Sequence, residues 1–298
     1  MSTLLSASRR PLVLGALLVL ALVPRAPAQG PQATKAAKAA AKAQLKQLKS
    51  DLAGIVKDFD QAVDEFEQSV ETGDPVLVLA LENLMAAWDV AQLAEKQSVA
   101  VHLSALMDVE IGTLQDYQTE VGGTEGGPYP LGYNPGDGGA QDLFDAGWRH
   151  ELEKARGKLA ARLVKLRKPF AKKFGLTLNV RTRVPALEVN HAVNAGAGLG
   201  SFSLNVTPGF GVDLMLTLDP VGTEGDGLIA LAGSCVPGNT MSITLGNAGS
   251  LPEITGDVLA SPSGRWQFLT DSAHEGNYGL QVKDSTCPLI AREAVGVG

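Results

Sequence analysis

Val236-Pro237-Gly238-Asn239-Thr240-Met241-Ser242-Ile243-Thr244-Leu245 opens the segment on which the reading of the fold turns. A Pro-Gly turn feeds a strand in which Met241, Ile243 and Leu245 alternate with hydroxyl side chains, the period-two signature of a half-buried strand. The same grammar follows twice more, in Ser263-Gly264-Arg265-Trp266-Gln267-Phe268 and in Glu275-Gly276-Asn277-Tyr278-Gly279-Leu280-Gln281-Val282. Cys235 and Cys287 bracket the three units.

Working outward, the alternation reaches back to Leu176. Strands are expected at 176–183, 187–193, 201–206, 212–218, 227–232, 240–245, 253–260, 265–270 and 278–283, with Gly, Pro, Asn and Asp between them. Many short strands at roughly ten-residue spacing favour a β-sandwich over residues 176–298.

The Pro237-Gly238 turn, the Gly264-Arg265-Trp266-Gln267-Phe268 strand and the Glu275-Gly276-Asn277-Tyr278 turn resemble bacterial Ig-like domains over residues 227–290. The Gly-x-Tyr ending is also similar to pre-peptidase C-terminal domains, another small exported sandwich. Either resemblance implies binding, spacing or adhesion and no chemistry. The cysteine pair and the single copy depart from the usual Ig-like repeat.

Before Leu176 the spacing is three and four. Leu45, Leu48, Leu52, Ile55, Phe59, Ala62 and Phe66 form one helical seam. Asp74-Pro75 is an N-cap followed by a first-turn proline, and opens a second helix running to about Glu120, with a phase change near Glu95. A third helix is expected from about Gln141 to Phe174, with a kink or end near Lys168 because Pro169 removes a backbone donor. Between the second and third lies a Gly/Pro-rich loop at 121–139.

Charge suggests how these helices pack. Lys35, Lys38, Lys42, Lys46 and Lys49 make a basic strip at the start of the first helix, and Asp60, Asp64, Glu67 and Glu71 continue it with the opposite sign. The third helix begins acidic and ends basic. An up-down-up bundle sets the first and third helices side by side and parallel, so that unlike charges face each other. The lysine strip is also a candidate contact for an anionic surface such as a polysaccharide, a lipid headgroup layer or a nucleic acid.

The formal net charge of -7 is spread along the chain and implies no general or specific nucleic-acid affinity. Arg9-Arg10, the apolar run 11–23 and Ala26-Pro27-Ala28 read as a signal peptide cleaved before Gln29. No transmembrane span is expected after it. In an exported chain, Cys235 and Cys287 are expected to form a disulfide, closing a loop of about 50 residues and contributing about 4 kcal/mol in the chain-entropy model.

Candidate chemistry is sparse. Gly196-Ala197-Gly198-Leu199-Gly200 leads into a strand rather than the helix a dinucleotide needs. Glu188 and His191 have di-iron spacing but fall on a strand, and His150-Glu151 is followed by Lys154 where a zinc site wants histidine. Asp137, Asp142 and Asp145 miss the calcium-loop pattern. Glu95 and His102 are read as a buried polar pair that fixes helix register.

The expectation is α+β in separate domains. A signal peptide (1–28) precedes a three-helix antiparallel bundle (29–175) and an all-β Ig-like sandwich (176–298). No catalytic residue, metal or cofactor is expected. The role is structural, adhesive or interactive in the cell envelope or extracellular space, with a protein or polysaccharide partner or self-association through helical seams. The alternatives are a secreted ligand-binding protein, with glycan the leading ligand class, and then an unrecognised hydrolase.

Overall fold

The structure, a computed structural model, describes residues 30–72, 76–120, 140–183, 187–194, 201–220, 227–246, 253–270, 273–274, 276–284, 286 and 290–297. The expected leader, the 121–139 loop with Asp137, the 196–200 glycine run and Cys287 lie outside the described residues.

Among the described residues four helices come first: α1 (Gly30–Thr72), α2 (Leu77–Glu120), α3 (Ala140–Lys165) and α4 (Arg167–Phe174). The break at Leu166 has a local cause. Pro169 has no N–H to donate to Lys165 four residues earlier, and its ring crowds that carbonyl, so the helix stops there and restarts. Gly175 ends α4 in the left-handed region at φ 66°, its N–H donating to the Ala171 carbonyl, and strand begins at the next residue.

Helix α1 packs along both α2 and α3, which approach each other less extensively. Its contacts with α2 run antiparallel: Asp51 meets Ser98, and further along α1 Phe59 packs edge-on against Trp88. With α3 they run parallel. Lys49 is 3.8 Å from Glu151, and Arg162 binds Asp64 and lies 3.3 Å from Glu67. Unlike charges thus meet at both ends, as the opposed gradients in the sequence imply. These partly exposed pairs set register more than stability.

Among the described residues ten strands follow: β1 (Leu176–Thr182), β2 (Leu187–Asn194), β3 (Ser201–Pro208), β4 (Gly211–Pro220), β5 (Leu228–Ser234), β6 (Thr240–Gly246), β7 (Ile254–Leu259), β8 (Arg265–Leu269), β9 (Gly276–Asp284) and β10 (Ile290–Val297). Strand β10 is absent from the sequence reading; Arg292-Glu293 interrupt its apolar pattern. It pairs with β9 along its whole length. All pairings are antiparallel, in two four-stranded sheets ordered β1-β4-β5-β8 and β10-β9-β6-β7, plus the separate hairpin β2-β3. The hairpin sits against α2 and lends Val206 and Leu204 to the upper helical core.

The layers stack as helices, first sheet, second sheet. Leu214, Leu216, Leu218, Ala230 and Ala232 of the first sheet share one apolar cluster with Leu84, Trp88, Leu159, Leu163 and Phe170 of the helices. From its other face Met215, Ile229, Leu231 and Trp266 meet Ile243, Leu245, Tyr278 and Val282 of the second sheet. The helices therefore cover one face of the first sheet and share a core with it.

Burial along the strands follows. Every residue of β5 after Leu228 is buried, because both faces are covered, whereas β6 in the outer sheet alternates buried and half-buried. Ala230 and Ala232 face the helices, and their small side chains let α2 approach the sheet closely.

Candidate functional site

The polar chemistry of the described residues concentrates on one line of α2: Trp88, Asp89, Gln92, Glu95, Ser98 and His102 all point inward. From Asp89 onward the steps of three and four wind these side chains slowly round the helix, from the side that meets the sheet to the side that meets α1. The line crosses the interior from the first sheet to α1.

At the sheet end, Arg265 of β8 binds two carboxylates. Its Nε and Nη2 lie 2.9 Å and 2.6 Å from Asp89 Oδ1, and Nη2 donates at 2.9 Å to Asp213 Oδ1. Its Nη1 bonds Asp213 Oδ2 and, at 3.1 Å, Ser234 Oγ. Trp88 Nε1 donates to Asp213 Oδ1 at 3.0 Å, and Gln267 Nε2 to Asp89 Oδ2 at 2.7 Å. Asp213 reaches this place through a bulge in β4 between Val212 and Leu214, which turns Asp213 and Leu214 to the same side. Burial alone would lower the Arg265 pKa, but Asp213 and then Asp89 outweigh it and hold the guanidinium charged. Burial raises Asp89, against the pull of Arg265 and Gln267.

Two turns along, Glu95 Oε2 accepts from Arg156 Nε of α3 at 2.8 Å, and both side chains are buried. Desolvation pushes Glu95 up to about 7 although Arg156 pulls it down. Glu95 Oε1 and both amide atoms of Gln92, one turn away, are buried with no hydrogen-bond partner among the described residues. Such groups cost about 1–3 kcal/mol each. This middle of the line is its least satisfied part, and there a proton can bind near neutral pH.

At the α1 end, His102 Nε2 lies 2.8 Å from Asp51 Oδ2 and its Nδ1 lies 2.8 Å from Gln44 Oε1. The Ser98 hydroxyl donates to Asp51 at 3.1 Å, not to His102, so the three do not assemble a serine nucleophile and its base. Glu95 and His102 do not pair with each other as expected. Each instead joins α2 to a different helix.

The residues singled out from the sequence fall elsewhere. Lys35, Lys38, Lys42, Lys46 and Lys49 are all exposed on α1, and only Lys49 has a carboxylate within 4 Å among the described residues. Glu188 and His191 lie on strand β2, opposite Thr207 and Leu204. Among the described residues no group of three His, Cys, Asp or Glu is placed to hold a metal ion.

Cys235 is a buried thiol, pushed up to about 11 by burial and then by Asp284. Cys287, its expected disulfide partner, lies outside the described residues, but the chain just before it comes near. Asn239, in the turn after Cys235, donates to Asp284 at 2.9 Å and to Thr286 Oγ1.

Asp89, Asp213, Arg156 and Arg265 were not legible as a site. The available signals were Asp213 within the apolar run Val212-Asp213-Leu214-Met215-Leu216 and Arg265 beside Trp266. A charge inside a strand covered on both faces has to be paired.

Comparison of the chain with protein-family models, with curated proteins and with solved structures finds no match.

Proposed function

We propose that this chain is an exported, non-catalytic module with a structural, adhesion or interaction role in the cell envelope or extracellular space. The observation that carries the reading is the display of charge. The buried carboxylates of α2 are each paired internally, Asp89 with Arg265 of β8 and Glu95 with Arg156 of α3, while Lys35, Lys38, Lys42, Lys46 and Lys49 stand exposed in one strip. A strip of this kind suits an anionic polysaccharide, whose repeating charges can be met by several weak contacts at once.

The sandwich is read as Ig-like. That is supported by strands β4-β5-β8 facing β10-β9-β6-β7 and by Tyr278, whose hydroxyl donates to the His274 carbonyl at 3.1 Å at the start of β9. Export is supported by Arg9-Arg10, the 11–23 apolar run and Ala26-Pro27-Ala28. The Cys235–Cys287 disulfide is part of this reading, supported by the approach of Asp284 and Thr286 to Asn239.

The test is retention of the full-length, oxidised protein on an immobilised anionic polysaccharide. Retention at low salt, lost at about physiological salt or above and abolished by Lys→Glu changes at Lys38, Lys42 and Lys46, supports the reading. Salt-independent flow-through, or turnover of ester, peptide or glycoside substrates by the pure protein, overturns it.

A further inference from the structure

Helix α2 has a second face that the core does not use. Val90, Val101 and Leu79 are 66%, 54% and 53% exposed, although Leu77–Val109 is apolar enough to resemble a membrane-crossing helix. Such a helix is normally covered on all sides. Leu79, Val90 and Val101 are eleven residues apart, and Asn83, Ala86, Ala94 and Gln97 complete a strip stepping by four, three and four. At about 100° per residue the whole strip stays within about 40° of Val90, and an eleven-residue repeat keeps it almost straight over about 33 Å.

The strip reads the same in both directions. Leu79 mirrors Val101, Asn83 mirrors Gln97 and Ala86 mirrors Ala94, all about Val90. In an antiparallel two-fold pairing about Val90 each residue meets its mirror in the other copy, so that apolar side chains face apolar ones and Asn83 faces Gln97. The flanking charges agree. Glu82 and Lys96 lie on the same flank, about 40° apart, and antiparallel pairing about Val90 brings Lys96 of the second copy within about 3 Å of Glu82 along the axis. Asn83 and Gln97 suit a mixed protein interface better than hydrocarbon.

We propose that α2 docks against α2 of a second copy, antiparallel, with the two-fold axis at Val90. The proposal rests on the interaction reading above and names a partner for it: the chain itself.

The test uses the full-length protein. Sedimentation equilibrium is expected to give a dimer, and Val90→Cys is expected to cross-link to itself under mild oxidation where the parent does not, because only the residue on the axis meets its own copy. Val90→Glu, an exposed position, is expected to weaken the dimer about a hundredfold with helical ellipticity unchanged. Glu82→Lys is expected to weaken it too, and Glu82→Lys with Lys96→Glu to restore it. A monomer at all concentrations, or a dimer that Val90→Cys does not link, overturns the proposal. Polysaccharide retention by the monomeric Val90→Glu protein keeps that outcome separate from failure of the interaction reading.

Discussion

Arg265 of β8 clamps Asp89 of α2 through two of its guanidinium nitrogens, at 2.9 Å and 2.6 Å, across 176 positions of sequence. The same guanidinium holds Asp213, so one cation fastens the helical layer to two strands of the first sheet. Removing it leaves two buried carboxylates facing each other. Arg265→Met, similar in length, is expected to lower stability by about 3–5 kcal/mol, the usual cost of uncompensated buried charge. Chemical denaturation checks this. A loss below about 1 kcal/mol would show that the clamp does not join the layers.

Glu95 makes stability depend on pH. Its folded pKa of about 7 lies above the ordinary 4.5, so between those values the folded chain binds more proton than the unfolded one. Stability therefore falls as pH rises from about 4.5 to 7, by roughly 3 kcal/mol at most. Glu95→Gln is expected to flatten this window in a series of urea melts at stepped pH, whatever it does to stability at any single pH.

Gly233 of β5 lies between β4 and β8 of the first sheet, opposite Trp266. A Cβ there would overlap the Gly211 carbonyl oxygen and the Trp266 ring. The first contact is backbone and cannot swing aside. Gly233→Ala is expected to cost about 1–3 kcal/mol or more and to disturb the Trp266 environment seen by fluorescence.

The cysteines give a separate check. With the proposed Cys235–Cys287 disulfide, the denatured but unreduced protein is expected to show no free thiol, and Cys235→Ser to lower stability by up to about 4 kcal/mol. Two titratable thiols would remove the disulfide from the account. In that case the Cys235 thiol, at about 11, would be largely un-ionised and slow to react at neutral pH.

Much of the architecture was legible where one pattern decided the outcome. Leu48 and Leu52 are buried as the three-and-four spacing requires, and Met241, Ile243 and Leu245 as alternation requires. Pro169 marked its helix break to within a few residues. The opposed charges of Lys49 and Glu151, and of Asp64 and Arg162, correctly implied parallel neighbours. What could not be read was which second element covers a strand. Strand β4 looks like an ordinary half-buried strand until α2 is laid across it, and only then does Asp213 become a buried charge in need of Arg265. The pairing of Glu95 with Arg156 rather than His102 is likewise a tertiary fact, since it depends on α3 lying nearer than the i+7 neighbour.

Helices and sandwich share a core and are clamped by buried ion pairs, so they are expected to unfold as one body. The direct measurement is native-state hydrogen exchange of the full-length protein across a denaturant series, read separately for α2 and for β5. The account predicts that the slowest amides of both converge on one opening free energy and one denaturant dependence. Exchange of α2 through a lower-energy opening that leaves β5 fully protected would contradict it.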